Sequence, residues 1–210
     1  MIRLYKFPKW LKGFYPGAIW DFFLESKSSD KVIYLTFDDG PTEHVTDWVL
    51  NELDKVGAKA TFFCLGKNVK NHPSLYQSYL SNGHVVGNHT MNHLNGPKTE
   101  NKKYLENVLK AKEYVNSSLF RPPYGKCTPQ QHKEITQAGF KTIFWTHLTY
   151  DFDKSLPSEK RISKIKENLQ SGSILVFHDS EKAFPQLKTD LPIVLKFLKE
   201  DGYKFNVIEN

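Results

Sequence analysis

The chain has 210 residues, enough for one sizeable hydrophobic core and too few for two of ordinary size. Its net charge of +6 comes almost wholly from lysine scattered along the chain; arginine occurs at Arg3, Arg121 and Arg161 alone, and no nucleic-acid-binding motif accompanies it. No apolar run approaches the ~20 residues of a membrane-spanning helix, and the two cysteines, Cys64 and Cys127, imply neither a disulfide framework nor a cysteine metal site.

The first stretch, Met1 to Phe23, is basic and aromatic. It lacks a clean apolar core followed by a small-residue cleavage site, so a secretory signal is not expected there. Trp10, Phe14, Tyr15, Ile19, Trp20, Phe22 and Phe23 suit an N-terminal arm, residues 1–30, packed on a single domain of residues 31–210. Docking of the same rings at a membrane interface is the alternative.

From Val32 onward one rhythm recurs: an amphipathic stretch, a glycine, then a short β-rich run. Val32–Phe37 is the first apolar strand. Val45, Trp48, Val49, Leu53 and Val56 then form one helical stripe ending at Gly57, before a strand at Ala58–Phe63. Gly83 precedes His84–Val86, Gly139 precedes Phe140–Trp145, and Gly172 precedes Ser173–Phe177. Leu187, Leu191, Val194, Leu195 and Leu198 make the last stripe, with Gly202 before Tyr203–Ile208. Glycine after a helix accepts the left-handed conformation without a Cβ clash, which gives the pattern a physical cause. Nearly continuous apolar strands suit a parallel sheet covered by helices. The expected fold is therefore α/β, either an open doubly wound sheet or a (β/α) barrel. Polar clusters at the C-terminal ends of many strands favour the barrel, whose chemistry collects at that face.

Those clusters contain the candidate chemistry. Thr36-Phe37-Asp38-Asp39-Gly40-Pro41 places adjacent carboxylates at a strand end, where burial demands a metal or an arginine beside them. A plain Asp-Gly-Pro turn is the alternative. His89-Thr90-Met91-Asn92-His93 spaces two imidazoles four residues apart, so that on one helical turn both face the same way. Two histidines and one aspartate would leave an open coordination position for water, the arrangement of a hydrolytic metal site. Arg121-Pro122-Pro123-Tyr124-Gly125 is a rigid turn able to aim a backbone N–H or the guanidinium at a carboxylate. His178 ends the most apolar strand and suits a general acid, while Trp145 to Asp153 offers Asp151 among aromatic rings. His84 reads as structural, and His44, His72, His132 and His147 as ordinary histidines.

Taken in order, these segments resemble the polysaccharide deacetylase family, carbohydrate esterase family four, with its NodB-like domain. The resemblance runs from about Val32 to Tyr203. It implies a distorted (β/α) barrel with fewer than eight units, residues 31–210 forming the catalytic domain. It further implies Asp38 as general base, Asp39, His89 and His93 as metal ligands, and Thr90 bracing their loop. Arg121 would orient Asp38, the Tyr124 N–H would hold the oxyanion, and His178 would be the general acid tuned by Asp151. The fourth motif departs from the family's Asp-x-x-Asp-Trp: Leu148 stands for the first Asp and Phe152 for the Trp, which bears on the substrate groove. The metal implied is divalent, zinc first, with cobalt or another divalent ion as alternatives. The reaction implied is removal of acetyl groups from an N-acetylated polysaccharide, peptidoglycan or chitin-like. Removal of O-acetyl groups from xylan, a catalytically silent carbohydrate-binding domain, and amide hydrolysis on a small molecule are the rivals. A carbohydrate polymer is the expected partner, with no nucleic acid, no obligatory protein partner and a monomeric chain. A polymer substrate points to the cell envelope or outside.

Overall fold

The computed structural model describes Tyr5, residues 8–23 and residues 30–209. Among the described residues eight parallel strands occur, with helices between all consecutive pairs except β5 and β6: β1 Lys31–Asp38, β2 Thr61–Cys64, β3 Val85–Asn88, β4 Leu119–Phe120, β5 Lys141–Thr142, β6 His147–Leu148, β7 Ser173–His178 and β8 Tyr203–Asn206. Between them lie α1 Val45–Asp54, α2 Gly66–Asn71, α3 Pro73–Ser81, α4 Asn101–Lys112, α5 Pro129–Gln137, α6 Ser158–Asn168 and α7 Phe184–Glu200. The strand order is β5-β4-β3-β2-β1-β7-β6, with β8 also paired to β1. This curled sheet is the expected distorted barrel with fewer than eight βα units.

β1 is the organising strand. It pairs β7 along six residues, from Ile33 with Ser173 to Asp38 with His178. On its other edge β8 takes the first half and β2 the second. Ile33, Leu35 and Phe37 point into one fully buried cluster with Phe62, Leu175 and Phe177 and with the stripes of α1 and α7. Tyr34 turns the other way, into a cluster with Phe63, Val176 and Trp145, as strand alternation requires. The register of β1 against β7 brings Asp38 and His178 side by side at the strand C-termini.

Two strands are absent from the sequence reading, β4 and β6, and the expected Phe140–Trp145 run supplies only the two residues of β5. Such short strands hold too few alternating residues to register as a pattern. The sheet path ends at β5 and β6, and the N-terminal arm spans this seam. Ile19 donates to the Thr142 carbonyl and accepts from the Phe144 N–H, at 2.9 and 2.8 Å, and Phe22 donates to the Gly172 carbonyl at 2.9 Å. Trp20 stacks on Phe144 with ring centres 4.0 Å apart, and Phe22 stacks on Tyr34 at 4.2 Å. Of the arm rings named above, Trp10 and Phe14 stand clear of the domain, 68% and 53% exposed. Arg3 and the other N-terminal positions 1–4, 6, 7 and 24–29 lie outside the described residues. Among the described residues no helix is long and apolar enough to cross a membrane.

Candidate active site

The strand ends open on one cavity of about 430 Å³, lined by Asp38, Asp39, His89, His93, Tyr124 and His178 among others. Trp145, Leu148 and Phe152 form an apolar wall, and Lys126, Ser180 and Lys182 complete the lining. Each predicted site residue reaches this mouth or directly supports one that does.

Asp38 closes β1 with its side chain almost fully buried. Its Oδ1 accepts from Arg121 Nη1 at 2.8 Å. The same nitrogen donates to Thr36 Oγ1 at 2.7 Å, while Arg121 Nε and Nη2 donate to the Ile143 and Phe144 carbonyls at 3.3 and 3.1 Å. The guanidinium lies 4.0 Å from the centre of the Phe63 ring. Arg121 is therefore a wholly buried cation with four of its five N–H donors bonded and its charge matched by Asp38, which makes its burial tolerable. Burial pulls its pKa down and Asp38 pulls it back up; a guanidinium stays protonated throughout. Sequence reasoning missed Thr36 as the third member of this set, although it stands two residues before Asp38 on the same face.

Asp39, His89 and His93 bring one ligand atom each within 4.8 Å of one another. His93 Nε2 lies 3.2 Å and His89 Nε2 3.7 Å from Asp39 Oδ1. A tetrahedral ion with ~2.1 Å bonds sets neighbouring ligand atoms ~3.4 Å apart. Asp39 Oδ1 is buried without a hydrogen-bond partner, so these residues fit a divalent cation better than they fit a hydrogen-bonded cluster. His89 Nδ1 lies 2.7 Å from the Arg121 carbonyl, which makes Nδ1 the protonated nitrogen and leaves the Nε2 lone pair facing the site. Burial lowers the His89 pKa to about 4, and so keeps the imidazole neutral at pH 7. Burial alone would raise the Asp39 pKa, but the close approach of His93 and the neighbouring imidazoles His178 and His89 outweigh this and lower it. A neutral His89 imidazole is the form a metal requires of that ligand.

One expectation is corrected. His89 and His93 do not share a helical turn: residues 89–93 form a loop outside any helix. The rings converge because Thr90 and His93 take positive φ, 69° and 58°, and Asp39 takes 84°. Each such residue costs about 1–3 kcal/mol and persists only where the surroundings hold it. Asn88 Oδ1 accepts the Thr90 N–H at 2.8 Å, and the Thr90 carbonyl accepts from Gly66 N at 3.0 Å. Thr90 braces the loop through its backbone, since its hydroxyl is buried without a partner.

His178 closes β7. Its Nδ1 lies 2.8 Å from Asp151 Oδ1, and its backbone N–H donates to Asp151 Oδ2 at 2.7 Å. Burial lowers the imidazole pKa, and the Asp151 carboxylate, followed by Asp39 and Asp38, more than reverses this and raises it to about 9. The ring therefore carries a proton at pH 7, with Nε2 free to give it up at the cavity. Phe152 packs edge-on against His178 at 5.1 Å, so the altered fourth motif still walls that imidazole. Leu148 takes its place in the apolar lining where the family pattern has a carboxylate. Lys182 sits over the outer face of Phe152 at 5.1 Å. Nothing in the spacing marks Lys126 or Lys182, apart from their nearness to Gly125 and His178.

Tyr124 turns at φ 60°, with its ring 57% exposed and edge-on to His93 at 4.5 Å. The next two N–H groups, of Gly125 and Lys126, bond back to the Pro122 and Pro123 carbonyls at 2.9 and 3.1 Å. Neither of these bonds uses the Tyr124 N–H. His84 is structural, as expected: its Nδ1 accepts the Ala60 N–H at 3.1 Å.

Known proteins resemble this chain in sequence and in fold. The family model described as polysaccharide deacetylase matches residues 25–143, more than half of the chain. A peptidoglycan-N-acetylglucosamine deacetylase of Bacillus cereus is 34% identical over 187 residues, 86% of this chain and 88% of the relative. A chitooligosaccharide deacetylase of Azorhizobium caulinodans is 34% identical over 157 residues, 70% of this chain and 73% of the relative. Among solved structures, the Bc1960 peptidoglycan N-acetylglucosamine deacetylase in complex with 4-naphthalen-1-yl-N-oxidanyl-benzamide superposes with a TM-score of 0.85 at 27% identity, covering 96% of this chain and 95% of its own. The match runs through the strands that carry Asp38, Asp39, His89, His93 and Arg121, and the chain belongs to the polysaccharide deacetylase family.

Proposed function

We propose that this chain removes acetyl groups from N-acetylated sugars of a cell-wall polysaccharide, with residues 31–210 as the catalytic domain and residues 1–30 as an arm packed across its seam. The observation that carries the reading is the convergence of three units on one cavity: Asp38 tied to Arg121, the trio Asp39, His89 and His93, and His178 tied to Asp151. Asp39, His89 and His93 hold a divalent cation, zinc first among the candidates given two nitrogen ligands and one oxygen. When bound, such a cation supplies Lewis-acid polarisation of the acetyl carbonyl and eases deprotonation of water.

This chain's own residues do the rest. Asp38, held by Arg121 through one oxygen, takes a proton from the attacking water with the other. The Tyr124 N–H, which the turn's own Gly125 and Lys126 bonds leave unused, donates to the oxygen that gains negative charge as the carbonyl carbon becomes tetrahedral. His178 Nε2 then gives its proton to the departing amine nitrogen, and Asp151 stabilises the imidazolium until it does. Acetate and a free amino sugar are the products.

Peptidoglycan is the preferred substrate, which places the work at the cell envelope or outside. Two lysines on the cavity rim, Lys126 and Lys182, make no ion pair among the described residues and suit the carboxylates such a polymer carries. Acetate release from peptidoglycan, chitin oligomers and acetylated xylan tests the reading. Release from peptidoglycan exceeding that from chitin oligomers, with a smaller gap in Lys126→Gln/Lys182→Gln, is the expected result. Release from xylan alone would make this an O-acetyl esterase.

A further inference from the structure

Among the fully buried carboxylates that the proposed reaction leaves unused, Asp179 stands next to the general acid but is absent from the cavity lining. Its N–H donates to the Asp38 carbonyl at 3.1 Å. Its Oδ1 accepts the Gly40 N–H at 3.0 Å. The two bonds straddle Asp39, gripping the chain on the residue before it and the residue after it. Oδ2 is held in turn by Tyr79 at 2.5 Å and Thr46 at 3.0 Å, both buried hydroxyls. A third grip falls on Asp39 itself, whose carbonyl accepts from Asn68 Nδ2 at 2.8 Å. Asp39 needs such holding, because its φ of 84° is one that a side-chain-bearing residue rarely adopts. Gly40 has no alternative either: a Cβ there would collide with the Asp179 carboxylate and the Tyr79 hydroxyl.

We propose that Asp179 is a positioning residue that holds Asp39 in its left-handed conformation, presents its carboxylate to the cation, and so sets metal affinity. The proposal rests on Asp39 being a metal ligand. Groups that orient a ligand ordinarily govern metal affinity by about 10–100-fold. Asp179 acts through the ligand's backbone: two hydroxyls from α1 and α3 fix its carboxylate, and the carboxylate fixes the turn.

Zinc titration of the full chain against a chelating indicator tests this, with thermal melting of the metal-free protein in parallel. Asp179→Ala is expected to weaken zinc binding by about tenfold or more while the metal-free protein still melts cooperatively. Asp179→Asn keeps an acceptor for the Gly40 N–H and is expected to recover most of the affinity. Thr46→Val with Tyr79→Phe leaves Asp179 in place but frees its Oδ2. This pair is expected to weaken zinc binding by about threefold or more, and it serves as the test if Asp179→Ala does not fold. Affinities within about twofold of wild type in Asp179→Ala and in the pair overturn the proposal. If Asp39→Ala also binds zinc like the wild type, the ligand assignment itself has failed; if Asp39→Ala alone loses zinc, only the role of Asp179 has.

Discussion

At the level of single residues, the proposed chemistry depends on which atoms carry protons. Asp38 has one oxygen committed to Arg121, and Asp38→Asn removes the base while leaving an acceptor for that bond. A fall in kcat of about 10²–10⁴, with zinc still bound, is the expected outcome of steady-state assays on this variant. Retention of most of the rate would assign the base elsewhere. His178 is protonated below about 9 because Asp151 faces its Nδ1. Activity that needs this proton is present at neutral pH and lost as pH rises through the folded value. Removing the partner charge in Asp151→Asn should move that alkaline limb to lower pH by about 1–3 pH units, read from kcat/KM profiles. Much of this scale is legible in the sequence, because the site residues come as short contiguous motifs whose residue types are themselves the chemistry. Thr36 and Asp179 were not, since a threonine in a strand and an aspartate after a histidine have ordinary structural uses. Only the three-dimensional partners, Arg121 for one and Gly40 for the other, reveal the role.

At the scale of elements, β1 and β7 dominate. Their six-residue register carries Asp38 and His178 to adjacent strand ends, and both strands read plainly as apolar runs in the sequence. β4 and β6 did not, because two-residue strands leave no periodicity; what defines them is pairing with β3, β5 and β7. The loop of His89–His93 was misread as a helical turn because a spacing of four suits both, and the positive φ values that separate the two are not visible in residue types. Between β2 and β3 the link is His84, whose Nδ1 accepts the Ala60 N–H. Burial lowers its pKa to about 4, below the ordinary 6.5 of an unfolded chain. The stability this lends is complete above pH 6.5 and is lost as pH falls from there through about 4. An NMR titration should find the His84 imidazole still neutral at pH 5; a midpoint near 6.5 would contradict its buried, accepting role.

At the scale of the molecule, the barrel is an incomplete ring whose seam is spanned by Ile19 to Phe22. The aromatic richness of the N-terminus was visible in the sequence, but either packing or a membrane would account for it, and only the stacking of Trp20 on Phe144 and of Phe22 on Tyr34 shows where these rings go. Trp20→Ala should destabilise the domain by about 3–5 kcal/mol in denaturant unfolding. A chain lacking residues 1–23 should aggregate or unfold, whereas a stable truncated domain would leave the arm free for another task. Strand ends converge on one cavity where Asp38, the trio Asp39, His89 and His93, and His178 meet. The proposed hydrolysis depends on an ion held by Asp39, His89 and His93. The most direct measurement is acetate release from an N-acetylated glycan by metal-stripped protein as zinc is returned in steps. The account predicts activity that rises from near zero and saturates at one equivalent per chain, and no such rise in His89→Ala or His93→Ala. Undiminished release by the stripped protein, or restoration by zinc in those variants, would contradict it.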